Sequence, residues 1–145
     1  MTTKDFTINA WVNKTPQEVF KAITNVRAWW TGYYSEELTG NSANLNDEFS
    51  FRAGDRAHYS KQKLTEVIPN QKIVWDVIES ELSFLQKPDE WTGTKVIFEI
   101  SEHDGKTQLT FTHHGLKPEV ECYDSCAPAW TQYVQHKLLT LINEG

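Results

Sequence analysis

Two helix signals frame this chain, and everything between them reads as strands and turns. An apolar strand from Phe6 to Val12 leads into Thr15-Pro16-Gln17-Glu18-Val19-Phe20-Lys21-Ala22-Ile23, and far downstream a second helix signal closes the chain from Trp130 to Ile142. A run of strands joined by short turns cannot easily cross over itself, so the middle must form one antiparallel sheet. That sheet has one face to bury, and the long terminal helix is the natural partner. The layout is a sheet gripping a helix around an interior space, with two short helices after the first strand.

At 145 residues the chain suits one domain spanning 1–145, and it is long enough to build a core without a metal or a disulfide framework. Its 12% aromatic content, with Trp 6, is high for this length. Large aromatics belong to a core or to the wall of an apolar cavity, and both suit the layout. The net charge of -6 and the lack of any Lys/Arg run argue against nucleic acid and against an anionic membrane surface. Met1-Thr2-Thr3-Lys4-Asp5 lacks the apolar run of a secretory signal, and no stretch approaches a membrane span, so a cytoplasmic address is expected. With Cys 2 in such a chain, reduced thiols are expected.

In the first strand Phe6, Ile8, Ala10 and Val12 alternate with Thr7, Asn9 and Trp11, which predicts one face in the core and Trp11 on the other. Thr15 caps the next helix, Pro16 fits its first position, and Glu18 completes the favourable end. Asn25 to Gly32 reads as a second short helix ended by the glycine. A short strand is expected around Glu36 to Thr39, followed by strands at Asp47–Arg52, Ala57–Ile68, Gln71–Ser80, Thr92–Glu102 and Lys106–His114. His103-Asp104-Gly105 marks a tight hairpin between the last two. Leu82, Phe84 and Leu85 lie in an unusually apolar loop, read as folding back over the core end with a mobile lid as the alternative. Because Pro128 cannot donate an N–H, the main terminal helix is expected to start near Ala127, with an apolar stripe of Trp130, Val134, Leu138, Leu141 and Ile142.

Strand parity places Leu109, Phe111 and His113 on one face and Val96, Phe98 and Ile100 on one face of the neighbouring strand, both turned toward the helix. With Trp130 and Tyr133 opposite, Trp29 and Trp30 at one end, and Phe51 and Trp75 as further walls, the expected product is an aromatic pocket. His113 and Tyr133 are its polar handles. The alternative is a filled core, since inward apolar side chains serve both. Cys122 and Cys126 at i, i+4 with His113 or His114 are zinc-type ligands, but adjacent histidines on a strand face opposite ways, so packing thiols are expected rather than a metal. A Cys122–Cys126 disulfide is disfavoured within one helical turn. No nucleophile motif, phosphate loop or dinucleotide fingerprint occurs, and although Asp76, Glu66 and His113 all lie on the strands, no catalytic residue is assigned.

The order of elements, with Thr15 to Ile23 and Trp29-Trp30, resembles the START/Bet v 1-like (SRPBCC) superfamily and within it the branch named for the activator of heat-shock protein 90 ATPase. Three later segments carry the same resemblance: Val67-Ile68-Pro69-Asn70-Gln71-Lys72-Ile73-Val74-Trp75, Glu90 to Phe98, and Thr107 to Leu116. The resemblance implies an α+β helix-grip fold, an antiparallel sheet of six to seven strands wrapped around a long C-terminal helix, with a hydrophobic cavity between them. It implies no single activity: relatives bind small apolar molecules, a few are enzymes of polyketide cyclase type, and one branch assists a chaperone. The chaperone activator itself carries an additional N-terminal docking domain, whereas this sequence opens on the first strand, so cochaperone activity is the second expectation and an enzyme of polyketide cyclase type the third. The first is non-covalent binding of a small apolar or amphipathic molecule by Trp29, Trp30, Phe51, Trp75, Phe98, Phe111, His113, Trp130 and Tyr133, with no cofactor, nucleic acid or membrane partner.

Overall fold

Thr15 sets the first helix by reciprocal capping: its Oγ1 accepts from the Glu18 amide at 3.1 Å, and the Glu18 carboxylate accepts from the Thr15 amide at 3.3 Å. Helix α1 (Pro16–Thr24) follows and turns Val19 and Ile23 into the core. Thr15→Ala removes the side-chain half of this arrangement and leaves the Thr15 backbone amide as donor; it is expected to lower stability by about 1 kcal/mol, read as a shift of the urea midpoint at constant slope. Helix α2 (Val26–Trp29) stops at Trp30, earlier than the glycine signal suggested, and Gly32 lies outside the described residues. The computed structural model describes residues 5–31, 35–54, 58–83, 85–117 and 123–144.

Seven strands form one antiparallel sheet: β1 (Phe6–Val12), β2 (Glu37–Gly40), β3 (Glu48–Ala53), β4 (His58–Ile68), β5 (Lys72–Leu82), β6 (Lys95–His103) and β7 (Lys106–His114). Their order across the sheet is β1-β7-β6-β5-β4-β3-β2, so β1 closes against the last strand and the rest form a meander. The β6–β7 turn is built as its sequence predicts, with Asp104 at φ 52° and Gly105 at φ 80°. At Gly40, φ is 95° and an added Cβ would lie 2.3 Å from the Glu48 carbonyl oxygen, so only glycine fits there.

Two bulges break the β4–β5 ladder, between Lys61 and Gln62 and between Leu64 and Glu66. The first leaves Ile78 as an extra residue of β5. The second does the same to Thr65 of β4, so that Val67 instead of Glu66 shares the inner face with Leu64. β5 also runs on to Leu82, which is wholly buried; with Leu85 and Trp91 it covers the core end, as the apolar loop was read. Phe84 of that loop lies outside the described residues.

The C-terminal helix crosses the inner face in three consecutive pieces: α3 (Tyr123–Thr131), a π-helical stretch (Gln132–Leu138) and α4 (Leu139–Glu144). Pro128 lies inside α3, which corrects the expected start near Ala127: packing against the sheet outweighs the missing donor. A strict four-residue spacing drifts around a 3.6-residue helix. The wider π turn offsets that drift and keeps Trp130, Val134, Leu138 and Ile142 all buried on one line. A second correction concerns the thiols. Cys126 is disulfide-bonded, and the chain's only other cysteine, Cys122, lies outside the described residues. The expectation of free thiols rested on cellular compartment and on ideal helical spacing, neither of which sets the oxidation state of a given thiol.

Candidate functional site

The nine aromatic and histidine side chains read from the sequence as a pocket lining are brought together between the sheet and the terminal helix, and every one is buried. Trp30 sits at the centre. Its ring stacks on Phe51 at 3.9 Å, on Trp130 at 5.0 Å and on Trp75 at 5.7 Å, and meets the edge of Tyr133 at 6.4 Å. Trp29 extends the stack to Trp75 and sets its own indole N–H on the Ile23 carbonyl at 3.2 Å. Phe98 and Phe111 approach each other at 5.3 Å, and Phe111 lies 4.8 Å from Trp130. These side chains cover much of one another's surface, the feature of a filled core, around the same space that a cavity lining would enclose.

His113 has no exposure and both its nitrogens are engaged. The Trp130 indole N–H donates to Nδ1 at 2.9 Å, and because an indole can only donate, Nδ1 must accept and the ring proton resides on Nε2. That proton faces Thr94 Oγ1 at 2.8 Å, and the Thr94 hydroxyl in turn donates to the Trp91 carbonyl at 2.6 Å. The chain of bonds ties terminal helix, β7 and the loop before β6 together. Burial pushes His113 down to about 3, with repulsion from nearby His58 in the same direction. The Tyr133 hydroxyl, the other expected handle, donates to Glu36, joining the terminal helix to the segment before β2.

His114 points to the opposite face, where its Nδ1 meets the Asp5 carboxylate at 2.8 Å. Asp76 also lies on the outer face, 2.7 Å from the Lys95 ammonium, and Glu66 pairs with Lys72 at 3.6 Å. The structure therefore separates Asp76 and Glu66 from His113 rather than assembling them.

A row of polar side chains on β4 escaped the sequence reading. His58, Ser60 and Gln62 alternate inward with Leu64, and Ser60 and Gln62 are fully buried. The Gln62 amide donates to Ser60 Oγ, but among the described residues Gln62 Oε1, His58 Nε2 and the Trp75 indole N–H have no hydrogen-bond partner. The His58 ring is enclosed although part of the residue reaches solvent, packing edge-on against Trp91 at 4.6 Å and Phe51 at 5.2 Å. Burial lowers its pKa to about 4. The signal was present in the parity of His58, Ser60 and Gln62 with Leu64, which marks them as inward regardless of their polarity.

A sheet wrapped on a long terminal helix over a buried aromatic interior defines the helix-grip class. Within it, the chain belongs to the family described as Activator of Hsp90 ATPase homolog 1-like protein, whose model matches residues 13–143. Among solved structures, the fold is similar to the solution structure of the Aha1 dimer from Colwellia psychrerythraea, at 20% identity over 98% of this chain and 99% of that one, with a TM-score of 0.71. It is similar also to protein MLL2253 from Mesorhizobium loti, at 18% identity over 95% and 97% of the two chains and a TM-score of 0.70. A third is the Bacillus halodurans protein BH1534, with 18% identity, 98% and 99% coverage and a TM-score of 0.67. At these identities the likeness speaks for the fold alone. No protein of curated function matches the chain. Among the described residues, no helix is long and apolar enough to cross a membrane.

Proposed function

We propose that this domain binds a small apolar or amphipathic molecule between the inner face of the sheet and the C-terminal helix. The observation that carries the reading is the set of buried polar atoms without partners among the described residues, Gln62 Oε1, His58 Nε2 and Trp75 Nε1, all on the inner face of β4 and β5. Native interiors rarely leave such atoms unpaired, because each one costs about 1–3 kcal/mol. A molecule that enters this space would relieve that cost while burying its apolar surface against Trp30, Phe51, Trp75, Trp130 and Tyr133. Trp29, Phe98 and Phe111 back those walls, and His113 acts as a brace, since its nitrogens are already engaged.

Thermal unfolding against a panel of aromatic and fatty compounds tests the reading. A ligand at one hundred times its Kd is expected to add about 2.7 kcal/mol of stability. Flat melting temperatures across the panel, with no uptake of an environment-sensitive apolar dye, would sink it. Phe111→Trp sharpens the result: wedged among Phe98, Trp130 and Phe6, the larger ring is expected to overpack and cost about 1–3 kcal/mol. A cost near zero would mean that open space lies beside Phe111.

Family membership favours one second reading, a chaperone-assistant module. Stimulation of a purified heat-shock protein 90 ATPase by the isolated domain, unaffected by any apolar ligand, would favour that reading over the first.

A further inference from the structure

Gln62 and Trp75 form a corner. In the β4–β5 ladder Leu64 faces Trp75 and Gln62 faces Val77, so Gln62 and Trp75 are diagonal neighbours on the inner face, a spacing that long side chains bridge. Gln62 is 0% and Trp75 1% exposed, and each turns one unpaired polar atom into the interior. The indole N–H can only donate and the Gln62 carbonyl oxygen can only accept; the Gln62 amide nitrogen, turned the other way, donates to Ser60. One group satisfies both at once only if it accepts from one side and donates to the other.

Charge narrows the chemistry further. The cations of β3 and β4 belong to the other face: Arg52 lies 4.2 Å over the Tyr59 ring, and Lys61 reaches Glu48 at 3.4 Å. Inward on these strands stand Phe49, Phe51, Ala53, Ser60, Gln62 and Leu64, none of them charged, and buried His58 stays neutral at physiological pH. A carboxylate or phosphate in that space would have no described counter-ion, and burying it unpaired is prohibitive.

From this geometry we infer that the ligand carries an uncharged hydroxyl group, seated between the Trp75 indole N–H and the Gln62 side-chain carbonyl, on an otherwise apolar body. The hydroxyl accepts from Trp75 Nε1 and donates to Gln62 Oε1, leaving both paired. A ketone or ether would satisfy the indole alone, and a hydrocarbon would satisfy neither. Were the Gln62 amide reversed, the hydroxyl would still fit, since it can accept from the amide nitrogen. His58, two inward positions further along β4, gives a longer ligand a second neutral hydrogen-bonding point. The inference rests on the ligand-binding reading above and specifies which class of molecule that space selects.

The test compares 4-propylphenol with propylbenzene, which differ by the hydroxyl alone, in calorimetric titrations of the full chain. A purely apolar space prefers propylbenzene, because the phenol loses water on entry. The expected result is the reverse, a preference for 4-propylphenol of about tenfold or more, the worth of one net hydrogen bond. Gln62→Met keeps the side-chain length without its polar atoms, and Trp75→Phe keeps a smaller aromatic ring without the N–H; each is expected to reduce that preference to within about threefold while propylbenzene still binds. Equal binding of both probes to the wild type, or tighter binding of propylbenzene, overturns the hydroxyl inference and leaves the ligand-binding reading standing. Binding of neither sinks both. A preference that survives in Gln62→Met and Trp75→Phe alike, with native near-ultraviolet circular dichroism, places the hydroxyl elsewhere and also overturns the inference.

Discussion

Lowering the pH from 7 to 4.5 is expected to remove about 5 kcal/mol of folding stability, through two buried histidines. The native pKa of His58 is about 4 and that of His113 about 3, whereas both titrate near 6.5 in the unfolded chain. Between those values the unfolded state binds protons that the native state refuses, so stability falls with falling pH. The loss begins near pH 6.5, reaches about 2.5 kcal/mol for each histidine at pH 4.5, and ends once the native rings themselves protonate. Above pH 7.5 neither contributes any slope.

Among the groups facing His113, the Asp5 carboxylate opposes the shift while His58 and His114 add to it, and burial outweighs all three. Asp5 itself acts in a lower window: burial raises its pKa, but the Gly115 amide and His114 outweigh that and hold it below the ordinary value of 3.8. Its contribution is lost only as pH falls through that lowered value. A domain of ordinary stability, about 5–15 kcal/mol, is therefore brought close to unfolding by pH 4.5. Urea titrations at half-unit intervals measure the slope directly. His58→Phe is expected to halve it, and a flat profile from pH 7 to 4.5 would mean that both rings are hydrated or paired with charge in the native state.

Trp30→Ala is expected to cost about 3–5 kcal/mol, the upper range for a single core truncation. Trp30 is 1% exposed and touches α2's own Trp29, two strands and the terminal helix through Phe51, Trp75 and Trp130. Neighbours held by separate elements cannot all close in, so the removed ring leaves a void. Trp30→Phe keeps one stacked ring and is expected to cost less than half as much. A loss under 1 kcal/mol for the alanine variant would show that the interior already holds mobile space beside Trp30. Restored stability on adding indole would identify the void as a site that accepts an aromatic guest.

Much of the fold is legible because it is local. The Thr15–Glu18 cap, the Asp104–Gly105 turn and the whole of β7 depend on residues within a few positions of one another, and the structure places them where the sequence does. Inward parity was equally readable on β1, β6 and β7, where no bulge interrupts the alternation. Phe98, Phe111 and His113 follow from that parity, and with the six others, read from β3, β5 and the helix signals, they do converge. What they do on converging was not legible, because a lining and a filled core demand the same side chains.

Tertiary structure alone decided the remainder. His113 reads from sequence as a polar handle of the pocket, and its partners Thr94 and Trp130 come from a loop and a helix that only the closed sheet brings near. Glu66 loses its inward place to Val67 because of a bulge set by pairing with β5, and no local signal at Thr65 announces it. Pro128 stands inside a helix, and the π turn after it holds a four-residue stripe straight, because burial of Trp130, Val134, Leu138 and Ile142 outweighs backbone preference. The sequence by itself determined which elements form and, on strands without a bulge, which way their side chains point, since capping, turn chemistry and period are short-range. Which polar atoms find partners depends on register and on contacts between residues far apart in the chain, and so Gln62, His58 and Trp75 became a candidate site only once the sheet had closed on its helix.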